Sequence, residues 1–362
     1  MKSRPRKIMT KKKGTASKIT KQENTAKKSA NKKNPPMDPE LIKAKLKKRI
    51  DSIPRSEKNT IELEWPSKSI SKTDEKIVAD MVVVKGCYGP LDAQQMDQIQ
   101  NTIKSTQMSL SQAISLRSAY LQQKVMYRHQ ILRTQAKSVS NQYKMGHSVL
   151  DLAKRADQPP MNMFRVILSE MKWEKNKIKR ALRDPKTFKE RERKEFLAAE
   201  SMDIVSMVNQ NEIHENSEKF EDLLSVWLEQ KGVRFARQKE LETEQKEEFG
   251  KAVLTPDFLL LDTVIINGKL CHWIDCKAFY GANLQFTIKK TKQQMKRYID
   301  HWGTGAIVYL QGFSEAIKIQ DCALLNAHGA LDIKTLSRLE EKIYRATNRV
   351  SLTTFNDNKK GK

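Results

Sequence analysis

Thr255–Gly281 has the sequence TPDFLLLDTVIINGKLCHWIDCKAFYG, which carries the clearest structural pattern in the chain. Two largely apolar runs, Phe258–Ile266 and Leu270–Ile274, flank the dipeptide Asn267-Gly268. Asn-Gly between β-forming runs is a strong hairpin signal, because both residues tolerate the positive φ that tight hairpin turns need. The stretch therefore predicts a β-hairpin.

Three charged side chains stand at the open end of this hairpin: Asp257, Asp275 and Lys277. A desolvated carboxylate without a partner is costly in free energy, and a divalent cation would neutralise two that converge. Because side chains alternate between the faces of a strand, Asp275 and Lys277 share one face. The sequence therefore predicts a metal site here, provided that Asp257 lies on the same face.

The register of the hairpin decides whether Asp257 joins the other two groups. A two-residue turn pairs Asp257 with Ala278 and turns it to the wrong face. A three-residue loop with Gly268 in the left-handed conformation pairs Asp257 with Lys277 instead. We therefore expect an odd-length loop or a β-bulge. Asp262 falls on the opposite face and is left out of the site.

The motifs Pro256-Asp257 and Asp275-Cys276-Lys277 resemble the signature of PD-(D/E)XK nucleases. The wider context is LTPDFLL, HWIDCKAFYG, a helix with Gln294 and Tyr298, and WGTGAIVYLQGF, and it resembles the codanin-interacting nuclease family over residues 217–320. The resemblance implies a restriction-endonuclease-like αβββαβ core with a mixed sheet, and phosphodiester hydrolysis in DNA.

The resemblance also implies a role for each residue of the motif. Asp257 and Asp275 would bind Mg²⁺, or Mn²⁺, through their carboxylates, and Cys276 would bind it through its backbone carbonyl. Lys277 would stabilise the developing anion, or act as a general base if its pKa were depressed. Asp in place of the longer Glu at position 275 draws the carboxylate back by one methylene.

Two further sets of residues follow from the resemblance. The superfamily uses an acid on a helix before the hairpin; Glu221 in KFEDLL is the best match, with Asp222 and Glu218 as alternatives. Gln294 and Tyr298 lie four residues apart on one helix face, where an amide and a phenol would position substrate. The competing interpretation of both sets is an ordinary polar helix surface.

The composition indicates a basic protein that binds a polyanion. The 362 residues include 68 Lys or Arg and 43 Asp or Glu, a net charge of +25, so nucleic acid is the expected partner. The four cysteines form no CxxC pair and indicate free thiols in a reducing compartment. We expect neither a membrane span nor secretion, because no long apolar run and no hydrophobic signal segment is present.

The pattern divides the chain into four segments. They are a basic, largely disordered arm (1–75), a helical module (76–204), a nuclease-like domain (205–325) and a C-terminal extension with a polar tail (326–362). The expected elements are a helix at Leu41–Ile50, β structure at Met81–Val84, a helix at Ser217–Gln230, a strand from Val233, a loop at Lys239–Lys251, a helix at Leu284–His301, a strand at Ala306–Leu310, an edge strand near Ile317–Ile319 and a helix near Leu336–Tyr344.

Two basic helical regions fit nucleic acid. The sequence HSVLDLAKRADQPPMNMFRVILSEM predicts two short helices across Asp157–Pro160, which fit either a DNA-binding helix-turn-helix or an ordinary helical hairpin. The stretch Lys172–Lys194 fits either phosphate contacts or a helix face paired with its own glutamates. The helix near the site also forms a basic wall through Lys289, Lys290, Lys292, Lys296 and Arg297.

We therefore expect a Mg²⁺-dependent deoxyribonuclease, with structured or branched DNA as the substrate by analogy. The resemblance implies a codanin-type protein partner and residence in the nucleus with some cytoplasmic pool. The alternative is a nuclease-fold adaptor with weak or no catalysis. An RNA-processing nuclease ranks lower, because no aromatic-rich single-strand platform is visible. The oligomeric state stays open, with a homodimer among the options.

Overall fold

A computed structural model describes residues 39–51, 60–206 and 210–348. Most of the basic arm, residues 1–38, and the polar tail lie outside the described residues, so their predicted disorder stays a prediction. The described chain has a mixed α/β fold built on a six-stranded mixed sheet. Within these ranges, no helix combines the length and the apolar character that crossing a membrane requires.

Helices and strands alternate through the second half of the chain. The helices are α1 (Pro39–Asp51), α2 (Lys72–Val82), α3 (Ala93–Ile103), α4 (Leu110–Thr134), α5 (Ala136–Lys144), α6 (Val149–Ala156), α7 (Pro160–Glu170), α8 (Lys175–Arg183), α9 (Glu190–Ser201), α10 (Gln210–Gln230), α11 (Gln238–Phe249), α12 (Gln285–Trp302) and α13 (Ile333–Asn348). The strands are β1 (Thr60–Leu63), β2 (Phe235–Arg237), β3 (Phe258–Ile266), β4 (Lys269–Lys277), β5 (Gly305–Tyr309) and β6 (Cys322–Asn326).

The sheet has the order β1-β3-β4-β5-β6, with β2 also paired to β3. Strands β4, β5 and β6 run parallel, whereas β3 and β4 are antiparallel. The edge of β3 opposite β4 carries two short partners, since β1 pairs with Thr263–Ile266 and β2 pairs with Phe258–Leu260. The charged site lies where β4 leaves this sheet.

The predicted hairpin is present as β3 and β4, but its turn is not the expected one. Ile266 pairs directly with Lys269, and φ is 50° at Asn267 and 75° at Gly268. The loop therefore has two residues, as the mirror-image turn of Asn-Gly hairpins has, so of the two predicted alternatives the odd-length loop does not form. The predicted bulge is confirmed, because the register of the pair shifts further along the strands.

This shift reverses the face of Asp257. Between the pair Val264–Cys271 and the pair Leu259–Trp273, β3 advances five residues and β4 advances two. Phe258 then pairs with Ile274, and one more step along this register sets Asp257 opposite Asp275. Opposite residues share a face, so the expected convergence is reached, with Asp275 rather than Lys277 opposite Asp257.

Three element predictions are wrong. The sequence favours β structure at Met81–Val84, yet α2 runs to Val82 with Val78 and Val82 buried one helical turn apart. The expected loop at Lys239–Lys251 is mostly α11, which buries Leu241, Gln245 and Phe249 at spacings of four residues. The edge strand expected near Ile317–Ile319 occurs later, as β6. Strand β1 has no counterpart among the predicted elements.

The other predicted helices are present. The helix at Leu41–Ile50 is α1, Ser217–Gln230 lies within the longer α10, and Leu284–His301 matches α12. The helix near Leu336–Tyr344 is α13, and the strand at Ala306–Leu310 is β5, which begins one residue earlier. The boundaries drawn between the four segments stay a prediction.

Helices α2, α3 and α4 pack against the chain that leaves β4. Ile114 and Leu116 of α4 share a core cluster with Tyr280 and Leu284, and Tyr344 of α13 belongs to the same cluster. Helices α5 to α9 share a second core, in which the rings of Phe164, Phe188 and Phe196 meet. Helix α4 therefore connects the core of helices α5 to α9 with the chain at the edge of the charged site.

The hairpin turn is fastened to the end of β1 by Asn267. Its side-chain amide donates to Trp65 O at 2.8 Å and accepts from Trp65 N at 2.7 Å, while its backbone N–H donates to Leu63 O. Asn267→Gly keeps the positive φ but loses both side-chain hydrogen bonds. At about 0.5–1.5 kcal/mol each, we expect a loss of about 1–3 kcal/mol in the free energy of unfolding, measured by chemical denaturation. An unchanged unfolding midpoint would contradict this assignment.

Candidate active site

The site forms where β4 ends, beside α10 and α12. Asp275 and Lys277 belong to β4, and Asp257 directly precedes β3. Trp273 anchors this end of β4, because its ring is fully buried and its indole N–H donates to Gly303 O at 2.9 Å. The strands thus fix the backbone beneath the three charged groups.

Asp275 and Lys277 form a buried ion pair. Their Oδ2 and Nζ atoms lie 2.5 Å apart, and Asp275 is 1% exposed. Oδ2 has no hydrogen bond of regular geometry and is held by the lysine charge alone. Burial is the largest influence on the pKa of Lys277 and lowers it, but the charge and hydrogen bond of Asp275 and the charge of Asp257 together outweigh burial, so the pKa is raised. Lys277 therefore keeps its proton, which supports an electrostatic role and argues against the general-base role.

Gln294 connects α12 to this ion pair. Its side-chain N–H₂ donates to Asp275 Oδ1 at 2.9 Å, and its carbonyl accepts from Lys277 Nζ at 3.2 Å. The same N–H₂ also donates to the Tyr298 hydroxyl at 3.1 Å, and that hydroxyl donates to Thr255 O at 3.3 Å. Gln294 and Tyr298 therefore orient the charged residues directly, which is more than an ordinary polar helix surface would do.

Asp257 stands close to the ion pair and is partly buried. Its Oδ2 accepts the backbone N–H of Cys276 at 2.5 Å. Burial raises the pKa of Asp257 well above its ordinary value, and the nearby charges of Asp275 and Glu221 raise it further. The hydrogen bond from Cys276 and the charge of Lys277 act in the other direction but do not offset them. The fold thus holds Asp257 among like charges.

Glu221 is the helix acid that faces the site. Burial raises its pKa, and its charge acts on Asp257. The two alternatives point elsewhere: Asp222 is exposed and binds Arg237 at 2.6 Å, and Glu218 binds Lys239 at 2.7 Å. Of the three candidates, Glu221 is therefore the one that can share a cation with Asp257.

Arg237 was missed by sequence reasoning. It ends β2, where its guanidinium lies 3.9 Å from Glu221 and stands over the Phe258 ring at 5.9 Å. It holds the helix acid beside the site, and it is the nearest cation to Glu221 among the described contacts. The signal in the sequence was weak, since a single arginine after a short strand is common and β2 pairs with β3 only in three dimensions.

The oxygen groups fit a hard divalent cation in their chemistry. The carboxylates of Asp257 and Asp275, with Glu221 nearby, are the ligand type that Mg²⁺ prefers, and Mg²⁺ keeps several waters as well. In the described ranges, no three His, Cys, Asp or Glu side chains are already arranged to hold a metal ion. Burial raises the pKa of the Cys276 thiol well above its ordinary value, so a thiolate ligand is disfavoured there. The resemblance assigns the ligand role to the Cys276 carbonyl.

The basic regions differ in exposure. Helix α7 exposes only Ser169, so its burial argues against a position in a DNA groove and favours the helical hairpin. Helix α8 exposes a basic surface that consists of Lys175, Lys177, Lys179, Arg180 and Arg183. No Lys or Arg between positions 172 and 194 forms an ion pair with a described residue. This observation argues against a helix face on which these cations pair with their own glutamates.

Comparisons with known proteins assign no activity. A family model described as "Protein of unknown function TPD sequence-motif" matches residues 189–327, a range that includes Thr255-Pro256-Asp257. An uncharacterized protein of Acanthamoeba polyphaga mimivirus is 32% identical over 114 residues, which are 30% of this chain and 40% of the viral protein. The chain thus matches less than half the length of this relative. No solved structure matches the chain.

The raised pKa of Asp257 predicts a pH-dependent gain in stability for Asp257→Asn. A carboxyl group with a raised pKa in the fold stabilises the protein at low pH and loses that contribution as the pH rises through its folded pKa. The variant should therefore match the wild type near pH 4 and exceed it at pH 8 with EDTA present. Single stabilising substitutions contribute about 0.5–2 kcal/mol, which urea denaturation resolves.

Asp262→Asn is the matched control, because Asp262 is a buried acid with a partner. It binds Arg234 at 2.6 Å and also accepts the Arg234 backbone N–H. This substitution should destabilise the protein at pH 8. If both variants shift stability in the same direction, Asp257 is not held among uncompensated like charges.

Proposed function

We propose that this protein is a metal-dependent nuclease of the PD-(D/E)XK type that hydrolyses phosphodiester bonds in DNA. The observation that carries the proposal is the convergence of two acids, the partly buried Asp257 and the buried Asp275, beside the ammonium of Lys277. Folded chains rarely bury two carboxylates side by side without a cation or a shared proton to compensate them. The order α10, β2, β3, β4, α12, β5 around the pair also supports the core that the family resemblance implies, with α11 inserted between β2 and β3.

The chemistry divides among the residues as follows. A bound Mg²⁺ or Mn²⁺ would neutralise the phosphate and lower the pKa of a water molecule. Asp257 and Asp275 would hold the cation, and Lys277 would stabilise charge that develops on the phosphate oxygens. Gln294 and Tyr298 would keep the carboxylate and the ammonium in position, and Glu221 would complete the acidic side of the site.

DNA would reach this site along exposed basic helices. Helix α12 presents Lys289, Lys290 and Lys292 to solvent beside Gln294, and α8 presents its basic surface without internal ion pairs. Exposed cations of this kind contact phosphates and release counterions. Residence in the nucleus with some cytoplasmic pool fits such a partner and belongs to the same proposal.

A second candidate is an adaptor that keeps the fold and binds a codanin-type protein. One observation favours it: Met126, Tyr127 and Ile131 of α4 are large apolar side chains with 45–61% of their surface exposed. Clustered exposed apolar residues mark protein-binding surfaces. The absence of a ready-made three-side-chain metal group among the described residues fits weak catalysis too.

Cleavage of DNA by point variants tests the nuclease proposal. With Mg²⁺ or Mn²⁺ and a panel of linear and branched DNA, Asp257→Asn and Lys277→Met should each lower the initial rate by about 10²-fold or more, because each removes charge that acts on the reacting phosphate. Asp262→Asn, assayed at a temperature where it remains folded, should retain cleavage. Equal cleavage by all of these proteins would indicate a contaminating nuclease and leave the adaptor as the better proposal.

The salt dependence of DNA binding tests the role of α8. Lys175, Lys179 and Arg183 are exposed and spaced by four residues, so Gln at all three should free up to three phosphates of the DNA. The slope of log K against log salt should then become shallower by about 0.9 for each phosphate that the protein no longer neutralises. The same change at Lys334, Arg338 and Lys342 of α13, which have the same spacing and are also exposed, is the control. Equal slopes for both triple variants would exclude α8 from the interface.

A further inference from the structure

A cavity of about 440 Å³ lies next to the candidate active site. Its walls come from α4, α10, α13 and the chain that leaves β4. Cys276, Lys277 and Ala278 form one wall, so Lys277 borders both the cavity and Asp275. The cavity therefore opens beside the position at which a phosphate would contact the lysine.

Helix α10 passes both the cavity and the acids. Ser217 lines the cavity, and Glu221, which acts on Asp257, lies one helical turn further on. One turn corresponds to a rise of about 6 Å along the axis for four residues. The cavity wall at Ser217 and the acid at Glu221 are thus neighbours on one helix, so an occupant of the cavity would lie beside the acids.

The lining is largely uncharged and suits a flat, neutral occupant. Among the described side chains that line the cavity, Lys277 is the only charged one. The rest are hydroxyl, amide, apolar and aromatic groups, among them Phe279, Tyr280 and Tyr344. Aromatic rings and a few polar atoms are how proteins hold a nucleobase that has left its stack.

One lining residue has an unused hydrogen-bond acceptor. Gln311 is 2% exposed, and its side-chain Oε1 has no hydrogen-bond partner in the described chain. A buried acceptor left unsatisfied costs about 1–3 kcal/mol. This oxygen has almost no accessible surface, so the exocyclic amino group of adenine, cytosine or guanine would reach it once the Gln311 side chain rotates toward the cavity.

We propose that this cavity binds an unpaired nucleobase of a DNA strand whose neighbouring phosphate lies at Asp257, Asp275 and Lys277. The inference rests on the proposed nuclease function and names its substrate class: DNA with an unpaired nucleotide next to the cleaved bond. An unpaired base enters a pocket at a lower cost in free energy than a paired one, because no base pair has to open. The preference therefore arises from the cavity and not from the metal.

Binding without metal tests the inference apart from catalysis. Two duplexes carry 2-aminopurine at one position, either as an unpaired nucleotide or paired with thymine, and a dye at a distant end. Full-length protein in EDTA should bind the unpaired form about tenfold more tightly by anisotropy. Binding should also protect the 2-aminopurine from quenching by acrylamide, which reports that the base is enclosed.

Two variants alter the cavity in different ways. Ser118→Leu fills it from α4, where the Ser118 hydroxyl bonds only to Ile114 O of its own helix. Gln311→Met removes the unpartnered oxygen and should leave stability equal or higher. Both should reduce the preference and the protection, whereas Ser169→Leu, on the exposed side of α7, should change neither.

The outcomes separate this inference from the proposed function. Equal affinity of the wild type for both duplexes, or an unchanged preference in Ser118→Leu and Gln311→Met, overturns the cavity inference. If Asp257-dependent cleavage is nevertheless present, the nuclease proposal stands alone. A preference that both cavity variants abolish, without any metal-dependent cleavage, supports the cavity and overturns the nuclease proposal.

Discussion

The repulsion between Asp257 and Asp275 is the constraint on which the rest of the site depends. The shifted register of β3 and β4 sets the two acids on one face, and burial then raises the pKa of Asp257 well above its ordinary value. Trp273, fully buried two residues before Asp275, leaves this strand no room to move aside. A Cβ added at Gly305 of β5 would lie 2.2 Å from its ring. Close packing beneath the acids therefore maintains an arrangement that electrostatics opposes.

Gln294 orients the charged groups of Asp275 and Lys277 relative to each other. An amide has one donor end and one acceptor end, and here the donor end faces Asp275 while the acceptor end faces Lys277. Tyr298 fixes the orientation, since its hydroxyl accepts from the amide and donates to Thr255 O. The chain just before Asp257 is thus tied through α12 to the ion pair on β4. Asp275, Lys277 and the chain before Asp257 are therefore coupled through the Gln294 side chain and Tyr298.

The sequence predicts local features of this site better than its long-range pairing. Asn267-Gly268 indicates the turn, and the need to bring Asp257 to one face indicates a bulge, because both arguments use neighbouring residues. Strand β1 is different: Thr60–Leu63 pairs with a strand about two hundred positions away and is fastened there by Asn267, which no local pattern reveals. Arg237 was missed for the same reason, since its approach to Glu221 depends on how β2 pairs with β3.

The charges that would attract DNA and the charges that would control its entry into the site lie in different parts of the structure. The chain as a whole is strongly basic, and α8 and α12 present cations to solvent. The site itself gathers Asp257, Asp275 and Glu221 around Lys277, so its local field repels a phosphate until a cation offsets the acids. Basic helices and the cavity would hold DNA with or without metal, whereas direct contact between the phosphate and the acids would require the metal. The neutral cavity beside Lys277 would then receive a base rather than a second phosphate, because one ammonium already paired with Asp275 offers little attraction to another anion.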